Sequence, residues 1–165
     1  MNAPSRIAIS IAAAALSALL AAPLHAADSN AQALPPGVRK LPPERLVNYW
    51  LLDPDSAQAN VPNSGSGLDA ATCVAVSYMI EKNGTTSHVK LERAVPQGPL
   101  AKVALNVVKG MRFAPTAQNA GKEPIYTYVV IPFNLPVAGS RNPADLAQRK
   151  QVLDACNLPD FAPNR

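Results

Sequence analysis

Charge, aromatic rings, histidine and cysteine are all scarce in this chain, and each scarcity excludes something. Only 16% of its 165 residues are charged, and no Lys/Arg run or basic patch with interleaved aromatics is present. That excludes nucleic acid as the expected partner. There are two histidines, His25 and His88, and His25 lies in the amino-terminal segment. His88 then stands alone on the polar side of an alternating run, an exposed residue without ligands nearby, so no metal centre is expected. The two cysteines, Cys73 and Cys156, fit neither a CxxC redox pair nor a zinc site. A Gly-x-Ser-x-Gly elbow and a phosphate-cradling glycine loop are both missing. Asp53 and Asp55 are close in sequence, but Pro54 between them reads as a turn and not as an acid/base pair. No catalytic residues, no cofactor and no enzyme are expected.

Among what is present, the amino terminus is the most explicit. Arg6 precedes Ile7–Leu24, a stretch without charge, and Pro23-Leu24-His25-Ala26-Ala27 follows with small residues at its end. This is the pattern of a secretory signal peptide, 1–26, cleaved near Ala26. The competing reading is an uncleaved inner-membrane anchor, since such a length just spans a bilayer. The segment has alanine rather than leucine or isoleucine as its commonest residue, and Ser10 and Ser17 interrupt it, which favours cleavage and a periplasmic location without a membrane span. An even cysteine count in an exported chain predicts a Cys73–Cys156 disulfide, against the alternative of two separate buried thiols.

Residues 27–67 read as a lead and linker with short Pro-rich patches, Leu34-Pro35-Pro36-Gly37 and Leu41-Pro42-Pro43. Pro43–Leu52 reads as a short helix carrying the only Trp, with Leu46, Val47, Tyr49 and Trp50 along one side. That side either packs onto a sheet or presents an exposed patch. Asp53–Asp69 reads as loop.

The informative stretch is 68–135. Cys73–Ile80 alternates, placing Val74, Val76, Tyr78 and Ile80 on one face of a half-buried strand. Asn83-Gly84 predicts a type I′ hairpin turn. The turn also accounts for the formal sequon Asn83-Gly84-Thr85, so no modification is assigned. Ser87–Arg93 alternates again, with Val89 and Leu91 on one face. Pro99 opens a helix whose Leu100, Val103, Ala104, Val107 and Val108 form one apolar stripe, with Gly110 as its stop. After a polar loop, Ile125, Val129, Ile131 and Phe133 share a face of the last strand. Asn142-Pro143-Ala144-Asp145 then predicts a capped helix in an extension, 136–165, with Leu146, Val152, Leu153 and Cys156 on one face and Arg149 and Lys150 in water. The expected fold class is α+β: a small antiparallel three-stranded sheet (β-hairpin, helix, strand) with an added C-terminal helix.

The order hairpin, helix, strand, with Met111-Arg112-Phe113-Ala114-Pro115 after the helix and Ile131-Pro132-Phe133 ending the last strand, resembles the carboxy-terminal domain of TonB-like energy transducers. Gly84, Arg112, Phe113, Pro115 and Phe133 match the family pattern, and Met111 stands where the family usually has Trp. The resemblance implies recognition by strand addition, in which a peptide from an outer-membrane receptor plug or another envelope protein adds to the last strand. Carried onto this sequence, the edge is Ile125, Tyr126, Thr127, Tyr128, Val129, Val130 and Ile131, with Tyr126, Tyr128 and Val130 turned toward the partner. Pro132 limits pairing at the far end.

Three readings follow, all set in the Gram-negative envelope that the resemblance implies. One is an exported binding module. Another is a membrane-anchored transducer serving outer-membrane transport. The last is a structural or cell-wall protein of the same fold without a peptide ligand, its edge self-paired in a homodimer or covered by the terminal helix.

Overall fold

A computed structural model describes residues 34–161. The signal segment and its anchor alternative lie outside these residues, among which no helix is long and apolar enough to cross a membrane. Among the described residues, six strands and three α-helices follow in chain order: β1 (Arg39–Lys40), α1 (Pro43–Leu46), β2 (Trp50–Leu52), β3 (Thr72–Ile80), β4 (Thr86–Val95), α2 (Leu100–Gly110), β5 (Phe113–Pro115), β6 (Ile125–Phe133) and α3 (Pro143–Asp154). The class is α+β as expected, but the strand count is larger. The main sheet runs β1-β6-β3-β4, antiparallel except for the two-residue parallel β1, and β2 pairs with β5 in a separate ribbon.

Alternation in β3 puts Val74, Val76, Tyr78 and Ile80 against the stripe of α2, where Leu100, Val103, Ala104, Val107 and Val108 are all buried. These are the faces that periodicity predicts. The strand is not half-buried, however: every residue from Thr72 to Ile80 is shielded. Its second face, with Cys73 and Ala75, lies beneath Cys156, Val152 and Leu153 of the C-terminal segment. Burial pushes the Tyr78 hydroxyl far above its ordinary pKa, so it stays neutral at physiological pH.

The hairpin turn also differs from expectation. The Gly84 amide donates to the Glu81 carbonyl (2.8 Å), and only Gly84 has positive φ, +80°. This is a type I turn followed by a left-handed residue, a three-residue connection instead of type I′. Farther along, β4 carries two register shifts against β3. Glu92 is extra between the pairs Ala75–Arg93 and Val76–Leu91, while His88 and Val89 together face Tyr78. His88 itself has φ +50°.

The expected Pro43–Leu52 helix stops after one turn at Leu46. Trp50–Leu52 is instead drawn into pairing with Phe113–Pro115. Trp50 is buried (1% exposed), and its indole N–H donates to the Glu123 carbonyl at 3.1 Å. Leu41 and Leu46 join it in the core, whereas Val47 lies in solvent. Arg112 serves the end of α2, its guanidinium donating to the carbonyls of Gly110 and Met111 (2.9 Å each) and Lys109 (3.3 Å). A cation at a helix C-terminus both satisfies open carbonyls and opposes the macrodipole. Phe113 stacks on Tyr78 with centroids 6.0 Å apart.

Helix α3 begins as its sequence says, with the Asn142 side chain accepting from the Ala144 amide at 3.0 Å. None of its residues is buried, and Leu146 is exposed instead of joining the apolar face. The Arg149 guanidinium, expected in water, donates to the Pro136 carbonyl at 2.9 Å. The helix is held mainly near its end. There Cys156 is bonded to Cys73 with Cα atoms 6.1 Å apart, and Arg93 donates to the carbonyls of Ala155 (2.9 Å) and Asn157 (3.4 Å).

One core group lacks a partner among the described residues: the fully buried hydroxyl of Thr127. An unsatisfied buried hydroxyl opposes folding. Thr127→Val keeps the shape and removes it, so urea unfolding should show a gain of about 1 kcal/mol, roughly 4 °C in Tm. A loss of stability would mean that the hydroxyl is satisfied in solution.

Candidate functional site

The two edges of the main sheet are built differently. The outer edge β4 has both bulges and carries Lys90, Glu92 and Arg93. Bulges and charges both discourage further pairing. At the other side, β6 runs nine residues in unbroken register with β3 and carries no charged side chain.

The start of β6 is already taken. Strand β1 aligns Arg39 with Ile125 and Lys40 with Tyr126, and the Leu41 amide donates to the Tyr126 carbonyl at 2.9 Å. Arg39 also forms an exposed ion pair with Glu123 (3.1 Å), and the Lys40 ammonium sits 4.2 Å from the Phe161 ring centroid. Pairing then stops because Pro42 and Pro43 have no amide to donate. Since the Tyr126 carbonyl points outward, strand alternation turns the backbone groups of Tyr128 and Val130 the same way. No described residue takes them in a backbone hydrogen bond. Pro132 has the same parity, which explains how a proline is tolerated within the strand.

The seven residues assigned from the resemblance therefore fall into different environments. Ile125 and Thr127 are fully buried under the sheet, and Val129 and Ile131 are half-buried on that same side. Tyr126 and Tyr128 point to the opposite face, where Phe161 covers them at centroid distances of 5.5 and 4.8 Å. The Tyr126 hydroxyl lies 2.7 Å from Ser77 Oγ, which donates to Glu92 at 2.7 Å. Val130 packs against the disulfide cluster. Tyr128 is buried, and the half-buried to exposed part of the strand is Val129–Phe133.

Sequence reasoning missed β1 as a cover and Phe161 as a lid over the tyrosines. A two-residue strand has no period to detect. Phe161, the last aromatic in the chain, was the available signal for the second.

His88 is half-buried at its bulge, with Nδ1 2.9 Å from Ser87 Oγ. The hydroxyl donates to Glu81, so serine stands between acid and imidazole. That order does not prepare a nucleophile, which needs the imidazole between the other two. Among the described residues no group of His, Cys, Asp or Glu is placed to hold a metal ion.

Residues 64–135, a little under half of the chain, match the family model for the Gram-negative bacterial TonB protein C-terminal. This segment is a TonB-like C-terminal domain. The match takes in β3, β4, α2, β5 and β6, while β1, α1, β2 and the disulfide-bonded α3 fall outside it. No curated protein matches the chain.

Proposed function

We propose that the protein is an exported, periplasmic binding module that engages an extended peptide of an outer-membrane receptor or another envelope protein by strand addition to β6. The supporting observation is the asymmetry of the sheet: one edge is doubly bulged and charged, the other regular and uncharged, with no described backbone partner for the outward groups of Tyr128 and Val130. An unprotected edge is a hazard unless it has a use. The match to a TonB-like domain supports this class of partner. Backbone hydrogen bonds give the affinity in such complexes, and alternate side chains give the selectivity. Binding by this route requires no catalytic group.

The domain limits proposed with this reading are 1–26 for the signal, 27–67 for the lead, 68–135 for the binding domain and 136–165 for the extension. Cleavage near Ala26 separates a free module from an anchored transducer, and intact mass of the native protein measures it. A soluble species beginning near Ala27 is the expected result.

The edge is tested by Val130→Pro. Because Val130 turns its amide outward, this change should spare the ladder with β3, as Pro132 does. Peptide affinity should fall at least about tenfold with loss of a central hydrogen bond and its register. Circular dichroism should remain unchanged. A folded Val130→Pro protein with undiminished peptide affinity would rule out the edge. Tyr128→Pro is the poorer choice, since it also removes a ring packed under Phe161.

A further inference from the structure

The C-terminal segment meets β6 at a groove of about 580 Å3 lined by Tyr128. Asn157, Leu158, Pro159 and Phe161 contribute to it from the C-terminal segment, Pro42 and Arg45 from the region of α1. We infer that this groove receives a large apolar side chain, aromatic by preference, from the peptide that pairs with β6. The inference rests on the strand-addition reading and adds to it a selectivity pocket whose lining, Tyr128 apart, comes from residues outside the TonB-like segment.

The volume lies in the range of small-ligand sites, which are concave and mostly apolar. Tyr128 links pocket and edge. It lines the groove, while its backbone carbonyl and amide face the outward side of β6. A strand paired there sends every second side chain to the Tyr128 face.

Pro42 and Pro159 in the lining have no N–H to give, and Asn157 offers only a side-chain amide, so the row of outward backbone groups on β6 is matched by an occupant that brings its own backbone. This favours an extended peptide over a free lipid chain. Glu44 and Arg45 place one charge of each sign at the rim. Neither is in an ion pair with another described residue. The rim therefore favours no charged guest of either sign, and selection falls to apolar size.

The test uses the full oxidised chain in an amide NMR titration with three probes. Two are capped pentapeptides, Thr-Val-Phe-Val-Thr and the same sequence with Ser at its centre, and the third is N-acetyl-phenylalanine amide. The Phe peptide should bind about 10–100-fold more tightly than the Ser peptide, the gain from burying one aromatic side chain. Shifts should include Leu158, Phe161 and Val130. Phe161→Ala should abolish the preference while leaving the shared weak affinity. Pro159→Ser, at an exposed position in the lining and outside the Tyr–Phe stack, should reduce it without disturbing the fold.

Equal affinities in the unaltered protein would overturn the pocket while leaving the edge intact. Groove shifts with the capped amino acid alone, and no peptide response at Val130, would keep the pocket and sink the edge. No response to any probe would overturn both. Sedimentation that shows a dimer closing over Leu158 and Phe161 would assign the groove to a second copy and overturn the inference.

Discussion

Gly84→Ala should cost the fold at least about 3 kcal/mol, measured as a shift of the urea midpoint at constant slope. Two independent effects add. Gly84 holds φ at +80°, in the region where a Cβ meets the following carbonyl. A Cβ there would also lie 2.0 Å from the Phe113 carbonyl oxygen, which is backbone and not a yielding side chain. The approach is close because the Phe113 amide donates to the Gly84 carbonyl at 2.9 Å and Thr85 bridges Arg112. Pushing these apart would disturb β5, through β5 the pairing with β2, and so the seat of Trp50. Gly121 is the control, with open space around its Cβ position and no positive φ. Gly121→Ala should stay within about 1 kcal/mol of the parent. A Gly84→Ala loss equally small would show that hairpin and post-helix segment are not in obligatory contact.

Breaking Cys73–Cys156 should produce the other large effect. The bond closes a loop with a sequence separation of 83, which the chain-entropy model converts to about 4 kcal/mol. The loss should be regional before it is global. Since no residue of α3 is buried, the helix has little else to hold it beyond Val152 and Leu153, with Leu158 just past its end. In a Cys73→Ala, Cys156→Ala variant, hydrogen exchange should show α3 and the segment to Phe161 losing protection while α2 keeps it. The tyrosines under Phe161 would then become accessible. Retained protection across α3, with a stability change under about 1 kcal/mol, would mean that packing alone fixes the extension.

Periodicity made the long elements legible. The stripe of α2, the core face of β3 and the inward residues of β6 each repeat often enough to declare a face. The Asn142 cap was readable because capping is local chemistry between neighbours. What escaped depends on distant pairing. Trp50-Leu51-Leu52 has no intrinsic reason to be extended until Phe113–Pro115 arrives beside it. Asn83-Gly84 suits more than one turn, and the choice was made by the Glu81 and Thr85 groups that close the loop. The bulges of β4 follow from its register against β3, which is invisible in β4 alone. At the candidate edge, Pro132 and the uncharged run were plain in the sequence. The cover by β1 and the lid of Phe161 were not, because both are contacts made across the whole chain.

The two bulges of β4 also fix the valence of the molecule. A sheet with two receptive sides is a bifunctional monomer, and each addition presents a fresh side for the next, so growth has no natural stop. With β4 bulged and charged, the proposed strand addition would leave this sheet monofunctional. A peptide joining β6 would meet an unreceptive opposite side, and a stoichiometry of one to one is the expected result.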